Sequence, residues 1–92
     1  MASSGNQKAK LDPSVAFGQL LRKYRLQQKM SQEDLAAKSG YERAFISLIE
    51  LGKTNPSLRS IFDICGSVHM KPSLFLRQVE QLSGFELPAE KA

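Results

Sequence analysis

An all-α fold, a compact bundle of five short helices, is what this chain predicts, and three observations predict it. Apolar residues recur at helical spacing, as where Phe17, Leu20, Leu21 and Tyr24 stand at i, i+3, i+4 and i+7. Residues that start helices precede such stretches and residues that stop them follow: Asp12-Pro13, Ser31, Gly40, Gly52, Pro56-Ser57 and Lys71-Pro72. Finally, 92 residues make one domain, large enough for a single core without disulfides or a metal.

Taken in order, residues 1–11 are small, polar and lysine-bearing, without periodicity, and are expected to form a disordered arm. Helix one starts at Pro13 behind an Asp12 cap and runs to about Gln28. Helix two starts at about Gln32, with Ser31 and Asp34 spaced as a capping box in which Asp replaces the usual Glu or Gln. Leu35 and the small Ala36 face inward, and Gly40 supplies the left-handed backbone for a tight turn. Helix three follows from about Glu42. Its Ile46 and Ile49 are expected inside, while Glu42, Arg43, Ala44, Ser47 and Leu48 fall on the other side or near its N-terminus. Gly52 closes it.

Pro56 and Ser57 open helix four, on which Leu58, Ile61, Phe62, Cys65 and Val68 repeat on the helical period. Helix five spans about residues 73–82 and packs Leu74, Phe75, Leu76, Val79 and Leu82 into ten positions. That is more apolar surface than one stripe of a small bundle buries, so these five residues are expected to supply a dimer interface. The domain as a whole is expected over 12–82, followed by a loose tail, 83–92, containing Gly84 and Pro88.

Charge is distributed unevenly. Residues 1–59 hold ten bases against five acids, whereas the remainder sums to −1 of the chain's net +4. A basic half that holds helices two and three fits a polyanion-binding part joined to an association part. Two short helices around one glycine, in that basic half, make a helix-turn-helix over about residues 32–51.

At these residues the chain resembles the single-domain helix-turn-helix repressors of the phage repressor and Cro type, the XRE-like family. The likeness extends to Phe17–Arg25, similar to the family's first helix, and to Gly52-Lys53-Thr54-Asn55-Pro56-Ser57-Leu58, similar to its loop and fourth helix. It covers roughly residues 14–79. Within it, Arg43-Ala44-Phe45-Ile46-Ser47 is most similar to controller proteins of restriction–modification systems. The resemblance implies a lambda-repressor-like fold and a sequence-specific transcriptional regulator that binds double-stranded DNA as a homodimer.

DNA offers phosphates for affinity and base edges for specificity. Base reading is expected from Glu42, Arg43, Ala44, Ser47 and Leu48. Arg43 leads, because a guanidinium can donate two bonds to O6 and N7 of guanine. Glu42 could accept from cytosine N4 or hold Arg43 in position; Ser47 bonds either base or phosphate; Ala44 and Leu48 are limited to thymine methyls. Phosphate contacts are expected from Ser31 and Gln32, where the first turn of helix two leaves N–H groups free, and the resemblance gives Gln32 the same role. The resemblance also places Lys53, Thr54 and Asn55 on the backbone across the groove. Phe45 either joins these contacts or props the helix. Arg25 and Glu50 match residues that, in relatives, form a half-buried ion pair joining helices one and three.

Cys65 and His69 stand at i, i+4, but two ligands without a third do not make a metal site, and Cys65 lies on an apolar stripe. No metal and no cofactor are expected. The sequence shows no nucleophile pairing, glycine-rich phosphate loop or HExxH, so no enzyme is expected either. No long apolar segment suggests a membrane span, and the lone cysteine cannot form an internal disulfide; a cytoplasmic protein is the expectation. The rival reading is an antitoxin or adaptor that mainly grips a protein partner through helix five and the tail.

Overall fold

Three of the five helices begin where a side chain occupies a backbone N–H that would otherwise lack a partner. Asp12 accepts from the Ser14 N–H at 2.8 Å and starts α1, Pro13–Gln27. Ser31 Oγ accepts from the Asp34 N–H while Asp34 Oδ2 accepts from the Ser31 N–H, both at 2.9 Å, so the expected capping box opens α2, Gln32–Ser39. The bond from the Ser31 N–H, with a smaller contribution from the Ser31 side chain, holds the Asp34 carboxyl below its ordinary pKa. Ser57 Oγ accepts from the Ser60 N–H at 3.1 Å ahead of α4, Leu58–Ser67. Behind Glu42 and Lys71, α3 (Arg43–Glu50) and α5 (Pro72–Ser83) lack a side-chain cap bond, and at α5 the first residue is a proline with no N–H to satisfy.

The computed structural model describes residues 10–89, and within them every regular element is a helix. Residues 1–9 of the expected arm and 90–92 of the expected tail lie outside the described residues. Three helices end as glycine predicts: Gly40, Gly52 and Gly84 all have positive φ. At Gly52 the bonds from Gly52 N–H to Ile49 O and from Lys53 N–H to Leu48 O, each 2.9 Å, close α3 in a Schellman turn. The ends of α1 and α4 use Lys29 and His69 in the same left-handed backbone, at φ 58° and 59°.

The core is built chiefly by α1, which packs on both α3 and α5, while α2 packs on α3 and α4, and α4 on α5. Phe17, Leu20 and Leu21 of α1 are buried with Leu35 and Ala36 of α2, Ile46 and Ile49 of α3, and Ile64, Cys65 and Val68 at α4. Phe75 closes the α1–α5 contact, its ring centroid 4.8 Å from that of Phe17 and 5.9 Å from that of Tyr24. Gly18 lets α1 approach α3, since a Cβ there would lie 2.2 Å from the Ile49 carbonyl oxygen. Burial pushes the Cys65 thiol up to about 11, keeping it neutral.

Two expectations about burial need correction. Phe75 and Val79 are core residues, 0% and 7% exposed, and are therefore not available to a dimer interface; Leu76 is half-buried, and of these five residues Leu74 and Leu82 stay exposed. The reason is that α5 covers the open side of α1 and needs large side chains there. On α4 the inward stripe is Ile61, Ile64, Cys65 and Val68, facing α2 and α5, which leaves Leu58 and Phe62 outside.

Candidate nucleic-acid interface

The turn between α2 and α3 is rigidly seated. Ala36 accepts from the Gly40 and Tyr41 N–H groups at 2.9 and 3.1 Å, and the Tyr41 hydroxyl donates to Asp63 at 2.8 Å, tying the turn to α4. Ile46 and Ile49, both fully buried, fix the rotation of α3 about its axis. At 100° per residue, Arg43, Ala44, Ser47 and Leu48 then share the opposite side. Arg43, Ala44 and Leu48 are exposed, as is Glu42 at the N-cap, and Ser47 is partly exposed. The structure thus brings together all five residues expected to read bases.

Arg43 is not free on this surface. Its Nε lies 3.3 Å from Glu33 Oε2, with both side chains more than half exposed. The holding role considered for Glu42 thus falls to Glu33, on the preceding helix. Sequence reasoning missed this residue because the pairing depends on how closely α2 approaches the start of α3. Phe45 is half-buried and stacks against Tyr41, with ring centroids 5.2 Å apart and a 40° tilt, which is the propping arrangement.

The residues expected at phosphates stand at the start of α2 and in the segment after α3. Ser31 Oγ is occupied by its capping bond to the Asp34 N–H, and Gln32 Nε2 donates to Glu50 Oε1 at 3.1 Å. A carboxamide carries two N–H donors, so this bond leaves Gln32 a second one. Lys53 and Asn55 are exposed and Thr54 is partly exposed in the segment after α3. Asn55 Oδ1 also accepts a bond from the Ser14 hydroxyl, which ties this segment to the start of α1.

Beneath the face lies the Arg25–Glu50 pair. Arg25 Nε and Nη2 reach the two Glu50 oxygens at 2.6 and 2.9 Å, and Nη1 donates to the Met30 carbonyl at 2.8 Å. Both side chains are almost wholly buried. The Glu50 hydrogen bond is the main cause of an upward shift of the Arg25 pKa, so the guanidinium stays charged. Through Gln32 this pair also anchors the first residue of α2. Cys65 is buried and His69 exposed, and among the described residues no three potential metal ligands converge.

A family model described as Helix-turn-helix matches residues 21–66, half of the chain, spanning α2, the turn, α3 and most of α4. The chain belongs to the helix-turn-helix family. Its domain is accordingly a DNA-binding domain of transcription regulation. An uncharacterised HTH-type transcriptional regulator of Archaeoglobus fulgidus is 38% identical over 65 residues, covering 70% of this chain and 93% of that protein. The restriction-modification controller protein C.AhdI from Aeromonas hydrophila is similar in structure, with 35% identity and a TM-score of 0.64 over 72% of this chain and 94% of that one. A tetramer of the controller protein C.Esp1396I, in complex with its natural 35 base-pair operator, gives a TM-score of 0.72 at 26% identity, covering 83% of this chain and 100% of that chain. The helix-turn-helix of this chain therefore sits in a five-helix frame shared with the controller proteins, in line with the resemblance at Arg43–Ser47.

Proposed function

We propose that this chain is a cytoplasmic, sequence-specific regulator that binds a pseudopalindromic operator as a homodimer, with α3 of each protomer in successive major grooves. The observation that carries this reading is the exposed side of α3, where Arg43, Ala44, Ser47 and Leu48 are held outward by the wholly buried Ile46 and Ile49. Arg43 exchanges its exposed contact with Glu33 for the O6 and N7 acceptors of guanine. Ser47 bonds a base edge or phosphate, while Ala44 and Leu48 meet thymine methyls. Gln32 and the α2 N-terminus hold one phosphate flank, and Lys53, Thr54 and Asn55 hold the other. The operator-bound controller protein C.Esp1396I supports operator binding by a multimer of this frame. Occupying a promoter operator would repress or activate the adjacent gene.

Selection from a random duplex pool at about 150 mM salt tests the proposal, because purely electrostatic binding is weakened there. Enrichment of a two-fold symmetric site is expected. A folded protein that enriches no sequence would instead favour the protein-partner reading. One observation favours that alternative: beyond α5, Phe85 and Leu87 are 52% and 81% exposed, close to the exposed Leu82 in sequence.

A further inference from the structure

The outer side of α4 carries apolar residues that the described part of the chain leaves uncovered. Leu58 and Phe62, one turn apart, are 68% and 54% exposed, although α4 already contributes Ile64 and Cys65 to the core. One turn beyond Phe62 stands Gly66, also exposed, where an added Cβ would meet nothing within 4 Å. Glycine weakens a helix relative to alanine. Gly66 is not among the glycines with positive φ, and no neighbour among the described residues requires the space it leaves. The missing Cβ leaves open space on this side of α4, into which a side chain from a docked surface fits. Along the same side, Arg59 and Asp63 present opposite charges, and their contact within the helix is long, 3.6 Å, with the Arg59 side chain 85% exposed.

We propose that a second copy of this chain docks on α4, the two α4 helices lying antiparallel about a two-fold axis that passes near Phe62. This inference rests on the homodimer reading above and names its interface. At about 1.5 Å rise per residue, Leu58 and Gly66 lie about 6 Å to either side of Phe62. An antiparallel pair therefore sets each Leu58 over the notch left by the other copy's Gly66. It also brings each Arg59, on its long side chain, to the other copy's Asp63. A two-fold interface must be complementary to itself, and a stripe with a large residue at one end, a notch at the other, and a base and an acid between them meets that condition. An unrelated partner would not require it. The exposed leucines of α5 are a poorer match: Leu74 and Leu82 are two turns apart, and Gln78 between them accepts a bond from the Tyr24 hydroxyl.

Analytical ultracentrifugation of the full chain without DNA tests the arrangement. Phe62→Glu should give a folded monomer, with helical circular dichroism retained, while Leu74→Glu remains dimeric. Arg59→Asp and Asp63→Arg should each weaken self-association by about tenfold or more. An equimolar mixture of the two should recover it, since every contact between the copies then joins opposite charges. Asp63 also bonds Tyr41, so Asp63→Arg is usable only if its circular dichroism shows a folded chain. Gly66→Ala supplies an independent variant, expected to raise the melting temperature of the monomer yet weaken the dimer. Failure of the mixture to recover, with both partners folded, would overturn the α4 pairing. A dimer dissociated by Leu74→Glu and not by Phe62→Glu would move the interface to α5 while keeping the homodimer, and a monomeric parent chain would overturn both readings.

Discussion

Arg43 and Arg25 show how exposure alone separates two arginine–glutamate pairs. The Arg43–Glu33 contact is open to water on both sides, and pairs of that kind contribute about 0–1 kcal/mol. Arg43 can thus leave Glu33 for a guanine at little cost. Arg43→Ala should retain the fold and lose about 1–3 kcal/mol of discrimination at one base pair per half-site. Competition binding with all four base pairs at each position measures this, and equal weakening on every duplex would instead assign Arg43 to a phosphate. The Arg25–Glu50 pair is shielded from water, and Glu50 also accepts from Gln32. Glu50→Ala strands the buried guanidinium, at about 3–5 kcal/mol. A small domain holds only about 5–15 kcal/mol in total, so urea unfolding should show a large loss. The accompanying loss of DNA binding should reverse when the folded state is restored by osmolyte, whereas a direct contact to DNA would not be recovered.

At the level of elements, two substitutions to or from glycine have opposite expected signs. Gly18 brings α1 against the end of α3, with the Ile49 and Glu50 carbonyls in the way of any Cβ. Gly18→Ala should destabilise by about 1–3 kcal/mol or more, because backbone rather than a flexible side chain must move. His69 ends α4 at φ 59°, where a Cβ is strained, and Met70 N–H bonds the Cys65 carbonyl at 2.9 Å across that turn. His69→Gly should stabilise by about 1 kcal/mol, a rise of roughly 4–8 °C in Tm by calorimetry. Helix ends of this kind mark the limit of what the sequence makes legible. Gly40, Gly52, the Ser31–Asp34 box and the buried Ile46 and Ile49 are local signals, and each is found as expected. The left-handed Lys29 and His69 carry no glycine to announce them. On α4 the period identified an apolar stripe, yet Leu58 and Phe62 lie beside the true one and Ile64 within it, because α2 and α5 decide which side is covered. Phe75 and Val79, expected in a dimer interface, lie in the core for the same reason: the depth of the α1–α5 contact is a tertiary fact. Of the base-reading surface, the residues themselves were legible from spacing, but Glu33 beside Arg43 was not, since that pair joins two helices.

For the whole molecule, the basic segment 1–59 contains α1 to α3 and the loop after them, whereas the remainder, with most of α4 and all of α5, sums to −1. In the proposed homodimer this division would let one part of the chain approach DNA while another joins two copies, and the relative rotation of the two α3 helices would be a property of the dimer. A rigid two-fold dimer accepts half-sites about one helical turn, roughly 10–10.5 base pairs, apart. Inserting about five base pairs between the selected half-sites turns the second one to the far side of the duplex. One protomer then binds without the other, and affinity in fluorescence anisotropy should fall to that of a single half-site at the same salt concentration. The Arg43→Ala variant should lose the same fraction of its affinity on the inserted duplex, because phasing depends on the dimer and not on any one base contact. Equal affinity for the parent and inserted duplexes would show that the two recognition helices are not held in fixed relation, and the homodimeric operator reading would give way to independent binding of single domains.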